Sequence, residues 1–384
     1  MSHFPDNTIR GNNIENNYSI IALGLYLFIN LIFIVKYGLR VSPLVVILGI
    51  VLFLTLVLGI FKLYNNRFVD KNIVWLLLIF AVFSYCLTLF VPLESLNVDR
   101  WQIITCFCNA VENGEYPYLS HPENIPENLP GPSPFYFVLS YPFYKLNFFE
   151  GIPLAASFLW YFCLPFKSRK NRVLTTLLLL ISPVYIYEIM VRSTIITNSL
   201  IILIWATYFV RFGRWNASTV FFNALLFGML LNTRNVFIIP VLIYGVYYVC
   251  RKQTQMKILW WSFVSIIFFL SLYALLAAVW GVENVLEYNP FRVQSEMIIP
   301  AWLSVTIVFI AVVAGAFVKK SENIVFYSCL IFFISAFSTY LWTSFHDESF
   351  SYAYLEHFDI TYFLFSYTFA LYLIKPEICI KVRL

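Results

Sequence analysis

Residues 41–61 read VSPLVVILGIVLFLTLVLGIF, a stretch without a single charged side chain. A helix rises 1.5 Å per residue, so about 20 apolar residues cross a hydrocarbon layer of roughly 30 Å. A helix half-buried in a soluble core keeps a polar stripe at its 3.6-residue period; this stretch has none, so it is apolar all round. Runs of the same kind lie on either side, near 18–35 and 73–91. They recur near 151–166, 173–190, 194–210, 216–231, 236–249, 258–280, 301–318, 324–342 and 358–374. The expectation is an all-α integral membrane protein of about twelve transmembrane helices, a single transmembrane domain over residues 1–384. Residues 1–17 are polar and Asn-rich, and a full-length apolar run follows them directly. They do not read as a cleaved signal, so the first helix is expected to remain as an anchor.

Composition agrees. The chain is 61% hydrophobic and 12% charged, where a soluble domain carries about 25% charge. Aromatics make up 20%, with 40 Phe and 26 Tyr, which suits membrane-interface belts. The net charge of +5 reads as basic cytoplasmic loops rather than a nucleic-acid surface, and no nucleic-acid partner is expected. Cys106 and Cys108 are the only cysteines close in sequence. A C-x-C spacing is too tight for an easy disulfide, and no matching His/Cys cluster completes a zinc site.

Loop charges orient the chain. With the N-terminus inside, eighteen of the 25 Lys and Arg residues fall on cytoplasmic segments; the exceptions are Lys36, Arg40, Arg100, Lys145, Arg192, Arg234 and Arg292. Of the 20 acids, only Asp6, Glu15, Asp70, Glu322 and Glu377 fall inside. The positive-inside rule counts Lys and Arg, and inverting the chain would reverse the split. Three outer segments are long enough to build a site: 92–150, 281–300 and 343–357. The cytoplasmic loops are short and carry no glycine-rich phosphate loop.

Within the first outer loop, Trp101, Ile104, Phe107, Cys108 and Val111 recur at helical spacing. Asn97 or Asp99 can cap the start and Gly114 can end the helix. A second apolar segment, 135–147, is too short to span comfortably. Both are expected as interfacial helices on the outer face.

Asp99-Arg100 after a helix, then Gly114-Glu115-Tyr116-Pro117-Tyr118, a Pro-rich turn and Pro134-Phe135-Tyr136 together resemble the first outer loop of GT-C glycosyltransferases. Downstream, Ser182-Pro183-Val184-Tyr185 through Glu188 and Arg192 to Asn198 resembles that superfamily's Pro-containing helix ending in an outward arginine. Asn232-Thr233-Arg234 resembles a recurrent Thr-Arg feature. The resemblance covers residues 90–240. It implies a polytopic, GT-C-like enzyme that takes a sugar from a polyprenyl-phosphate donor, in which an acid of this loop sits at the active site and two juxtamembrane helices follow it. The acceptor would be a hydroxyl of a glycan, lipid or protein.

On that basis Asp99 is the candidate general base, taking the acceptor proton as the sugar carbon is attacked with inversion; otherwise it is a helix cap. Arg192 and Arg234 sit at outer helix ends, where an arginine pairs or lines a cavity. Each either holds the donor phosphate or serves structure, Arg192 by pairing with Glu188 one turn earlier. The loop from His346 to Asp359 gathers two histidines and several acids. His and carboxylates there could hold a divalent metal ion, bind phosphate or acceptor, or simply be solvated; no metal ligand is assigned. His357 and Arg292 are further phosphate candidates. Arg100, Tyr116, Tyr118, Tyr136, Glu188, Glu356 and Asp359 are candidate substrate contacts, the tyrosines by stacking on sugars. His121 and Glu123 read as loop surface. The expected setting is a bacterial inner membrane, with the site facing the periplasm or exterior and serving the cell envelope. Two other classes remain open: a polymerase or ligase of polyprenyl-diphosphate-linked glycans, and a transporter or flippase, which would show discontinuous helices and charges in mid-membrane.

Overall fold

The computed structural model describes residues 7–92, 100–122, 129–212, 216–251, 255–290, 300–346 and 360–377, and among them every regular element is helical. In chain order the helices are α1 (Asn7–Leu39), α2 (Pro43–Leu63), α3 (Arg67–Leu89), α4 (Arg100–Glu112), α5 (Pro134–Lys145), α6 (Gly151–Cys163), α7 (Arg169–Leu180) and α8 (Pro183–Met190). Then follow α9 (Ile195–Phe212), α10 (Ala217–Leu231), α11 (Ile238–Cys250), α12 (Gln255–Trp280), α13 (Val282–Glu287), α14 (Ala301–Phe317), α15 (Ile324–His346) and α16 (Leu364–Leu373). Short polar residues start many of them. Ser42 accepts the amide of Val45 ahead of α2, Asn66 that of Phe68 ahead of α3, Ser168 that of Asn171 ahead of α7 and Asn216 that of Thr219 ahead of α10. Each satisfies an amide that has no partner within its helix.

Among the described residues five helical stretches are long and apolar enough to cross a membrane: Asn16–Leu39, Pro43–Leu63, Arg67–Leu89, Trp260–Trp280 and Ser321–Phe345. Their outward faces stay apolar; Ile47 is 59% exposed, Trp75 65% and Phe263 56%. Lipid tolerates such a surface and water does not. Six further apolar helices, 10–17 residues long, fall on other expected spans.

The remaining expected span, 173–190, is not one helix but a pair, α7 and α8, bent by 57°. Pro183 has no N–H and clashes with the preceding turn, so the helix cannot run on. Ser182 caps the new start, and α1 takes up the backbone groups set free. The Tyr26 hydroxyl donates to the Leu178 carbonyl at 2.8 Å, and Asn30 Oδ1 accepts from the Ser182 hydroxyl at 2.6 Å and from the Val184 amide at 3.4 Å. Neighbouring side chains let a membrane helix break in this way.

Beside mid-bundle contacts such as those of Tyr26, Asn30 and Ser199 with Thr368, the polar contacts between distant helix ends and turns fall into two sets. One joins the start of α3, the α6–α7 turn, the end of α11, the α14–α15 turn and the end of α16. It includes Arg169 with Asp70 at 2.6 Å, Lys167 with Glu322 at 3.0 Å and the Tyr372 hydroxyl with the Pro165 carbonyl at 3.2 Å. The other joins the end of α3, the turns before α5 and α6, and the ends of α8, α10 and α12. There Arg192 meets Glu150, Ser133 meets Thr233, and the Trp280 indole donates to the Gly114 carbonyl at 3.0 Å.

Of the two expected interfacial segments, 97–114 and 135–147, the described residues form α4 over Arg100–Glu112 and α5 over Pro134–Lys145. Gly114 takes φ +77°, with the Glu115 amide on the Ala110 carbonyl and the Gly114 amide on the Val111 carbonyl. This αL closure is why a glycine ends the helix. The Phe107 and Phe137 rings stack at 3.6 Å between α4 and α5. They belong to a second, smaller core with Ile104, Tyr116, Tyr118, Tyr136, Ile152 and Leu276, apart from the main bundle core.

Candidate functional site

The end of α10 organises the site. Residues 132–134 run Pro-Ser-Pro, so few backbone amides there can donate. Ser133 donates to the Thr233 carbonyl at 3.2 Å and Phe135 to the Asn232 carbonyl at 3.0 Å. The Tyr273 hydroxyl on α12 donates to the Ser133 hydroxyl at 3.2 Å. Asn232 and Thr233 are fully buried, and the Asn232 amide group donates to the Phe269 carbonyl. These bonds pin Arg234, the next residue, with its guanidinium 5.6 Å from the ring centre of Tyr136 at the start of α5. Cation–π contact orients it without neutralising it.

Behind Arg234 lies a cavity of about 720 Å³ between α10, α11, α12, α14, α15 and the 360–363 turn. Its walls are apolar, with Phe227, Trp261, Phe269, Ile307, Phe332 and Phe365 prominent. A few hydroxyls interrupt them, including Ser262, Ser304 and Thr339. Among the described residues Arg234 is the one charged residue in the lining, and its Nε is buried without a hydrogen-bond partner. A buried, unmet donor is costly, the more so on a charged group. A phosphate on an apolar chain fits both features: the anion on the guanidinium, the chain among the aromatic and aliphatic walls.

Arg100 reaches the same region from the other side. Its Nη2 donates to the Thr361 hydroxyl at 2.8 Å, and the next residue, Tyr362, lines the cavity. Gly131, the end of α10 and the start of the last helical segment, far apart in sequence, therefore meet at the cavity, and the start of α4 is tied beside it through Thr361.

Arg192 does not line this cavity. It occupies the left-handed C-terminal position of α8, φ +51°, and is 3% exposed. Its Nε pairs with Glu150 Oε1 at 2.9 Å; Nη1 donates to the Met190 carbonyl at 2.7 Å, and Nη2 to the carbonyls of Thr88 and Val91 at 2.9 and 3.1 Å. The ion-pair partner is thus Glu150, not the Glu188 suggested by the one-turn spacing, because the left-handed residue turns off the helical path. Glu188 is fully buried, with Oε2 accepting the amide of Ile196 at 3.3 Å in the first turn of α9. The positive helix end favours a carboxylate there. Glu150 carried no local signal in the sequence, since its arginine lies 42 residues on.

The three candidate tyrosines are packed rather than open. Tyr116 donates to the Tyr288 carbonyl at 3.1 Å and Tyr118 to the Pro132 carbonyl at 3.0 Å. Their rings lie against Trp280, Phe107 and Phe137, and Tyr136 against Phe137 and Arg234. Burial, with the Tyr273 phenol as a lesser cause, pushes the Tyr116 phenol up to about 12, and burial alike drives Tyr118 well above the ordinary range. Both are hydrogen-bond donors in a wall, not acids poised for chemistry.

Asp99, Glu123, Arg292, Glu356, His357 and Asp359 lie outside the described residues. Among the described residues no group of three His, Cys, Asp or Glu side chains could hold a metal ion. Cys106 and Cys108 are both free thiols. Compared with known proteins, the chain matches no family model, no curated protein and no solved structure.

Proposed function

We propose that this chain is a GT-C-like membrane glycosyltransferase that moves a sugar from a polyprenyl-phosphate donor to a hydroxyl of a glycan, lipid or protein acceptor. The carrying observation is Arg234: an oriented guanidinium, with a buried Nε to spare, and among the described residues the only charge on a large apolar cavity between helices. Its surroundings suit a lipid phosphate better than a soluble ligand.

The reading has twelve crossings, with α7 and α8 together as one. The two sets of polar contacts support it, because segments expected inside bond to one another and segments expected outside do likewise. The basic-loop bias then places Arg234 on the non-cytoplasmic side of a multi-pass membrane protein, in the bacterial case facing the periplasm or exterior. The helices α4 and α5 lie at that interface, their aromatic core packed on the outer part of α12 through Leu276.

In the reaction, Asp99 takes the acceptor hydroxyl proton as the oxygen attacks the anomeric carbon from the face opposite the phosphate. The carbon–oxygen bond to phosphate breaks, and the polyprenyl phosphate leaves with its new charge on Arg234. Asp99 directly precedes Arg100, which is held on Thr361 beside the cavity-lining Tyr362. Arg192 serves here as a structural tie, and the tyrosines as walls.

A transporter or flippase is the second reading, and the broken α7–α8 pair favours it. Against it, groups freed at the break are bonded by Tyr26 and Asn30 rather than left for a substrate. Purified protein given labelled polyprenyl-phosphate sugars and a mixed acceptor pool separates the two. A new glycosidic bond, lost in Asp99→Asn with folding intact, is the expected result. Movement of the lipid across a bilayer without bond formation would establish transport instead.

A further inference from the structure

The walls of the cavity are built as two clamped pairs. Gly228 lets α10 press on α12: a Cβ there would stand 2.5 Å from the Ser265 carbonyl oxygen. Gly315 does the same for α14 on α11, where a Cβ would stand 2.8 Å from the Ile243 carbonyl oxygen. Small residues permit such close helix contacts in membranes. The α11 helix touches both pairs, while α12 and α14 barely touch each other among the described residues. The cavity therefore has a seam on that side. Ile266 on α12 and Val308 on α14 line the cavity, yet are 56% and 39% exposed. A residue that both lines an interior space and faces outward marks the rim of an opening. Around it the outward side chains are apolar, including Phe263, Val305 and Phe309, so the opening faces hydrocarbon rather than water.

We propose that the seam between α12 and α14 is a lateral portal through which a long-chain polyprenyl phosphate slides from the bilayer into the cavity and leaves again. This rests on the reading of Arg234 as the phosphate site and adds the path by which the chain arrives. The tail never leaves an apolar surrounding on this path, and the phosphate travels at the level of the outer end toward Arg234. Pulling the tail through water instead would cost about 0.8 kcal/mol for each exposed methylene.

The test is Ile266→Trp, Val308→Trp and the double variant, in lipid nanodiscs, with Val305→Trp as a control on the same outward face but away from the cavity lining. All three sites face outward, so the larger ring costs little packing; unchanged thermal unfolding verifies this. The probe is a diazirine-tagged long-chain polyprenyl phosphate, and the readout is the rate of photolabelling of cavity residues. Geranyl phosphate, short and water-soluble, is a second probe that needs no portal, read as competition for label. The double variant should slow long-chain labelling about tenfold or more, the scale on which restricted access changes an association rate. Geranyl phosphate competition and the control should stay at the unsubstituted level. Unchanged long-chain labelling in the double variant, or equal losses for both probes, overturns the portal while leaving the phosphate site standing. An unsubstituted protein that takes neither probe overturns both. Because labelling needs no sugar transfer, labelled but catalytically silent protein would count against the transferase reading alone.

Discussion

Replacing Arg192 distinguishes its two possible uses, holding a donor phosphate or tying helices together. The side chain is 4% exposed and pairs with Glu150, itself 13% exposed. Removing one member of a buried ion pair strands the other charge and costs about 3–5 kcal/mol. Three backbone carbonyls, of Met190, Thr88 and Val91, also lose their donors. Against this, Arg192 sits at φ +51°, a left-handed conformation that costs a non-glycine residue roughly 1–2 kcal/mol. Alanine keeps that strain and glycine removes it, although glycine gains about 0.5–1 kcal/mol of unfolded-chain entropy relative to alanine. Arg192→Gly should therefore be about 1 kcal/mol more stable than Arg192→Ala, and both should fall well below the unsubstituted protein. Unfolding in mixed detergent micelles, titrated with dodecyl sulfate and followed by circular dichroism, measures the order. Glu150→Gln should destabilise too, since a neutral amide leaves the guanidinium unpaired. If both Arg192 variants unfold within about 1 kcal/mol of the unsubstituted protein but bind lipid phosphate poorly, the structural tie is wrong. Alanine proving more stable than glycine would refute the strain argument.

Arg234→Ala should behave oppositely, with near-normal unfolding but weaker lipid-phosphate binding. A charged hydrogen bond contributes about 1.5–3 kcal/mol, so affinity should fall roughly 10- to 150-fold; equilibrium binding of a fluorescent polyprenyl phosphate reads it. Gly228→Ala should cost about 1–3 kcal/mol in the same unfolding titration, because its Cβ would meet backbone. Gly245→Ala, with nothing within 4 Å of the added carbon, should be neutral or slightly stabilising. The Lys145 hydrogen bond holds the Glu112 carboxyl below its ordinary value, and Glu112 in turn raises Lys145. The contribution of this surface pair to the α4–α5 contact is fully present above the ordinary carboxylate value of 4.5 and lost as pH falls through the lowered one. At the alkaline end it is present below the ordinary lysine value of 10.5 and lost as pH rises through the raised one. Trp101 fluorescence should thus be flat across neutral pH and change only at the two extremes, and Lys145→Met should abolish both changes.

The class of the protein and the places of its helices were legible in the chain itself. Uninterrupted apolar runs such as 41–61 dictate membrane-length helices, because hydrocarbon accepts no exposed backbone polar groups. Pro43, Pro183 and Gly114 mark starts, a break and a stop through backbone sterics alone, which act within a turn of the residue. The bend at Pro183 was missed because hydropathy is blind to backbone hydrogen bonds, and the span reads as continuous apolar sequence. Several guanidinium groups at helix ends were visible as candidates, but their uses were not. Arg192 and Arg234 look alike in sequence, each an isolated arginine among apolar neighbours. Only the fold decides that one meets Glu150, 42 residues away, and the other a cavity. The cavity itself has no linear signature, since its lining is gathered a few side chains at a time from separate segments spread between Gly131 and Phe365. Local rules act over a few residues, whereas partners and empty space are set by which distant surfaces the packing brings together.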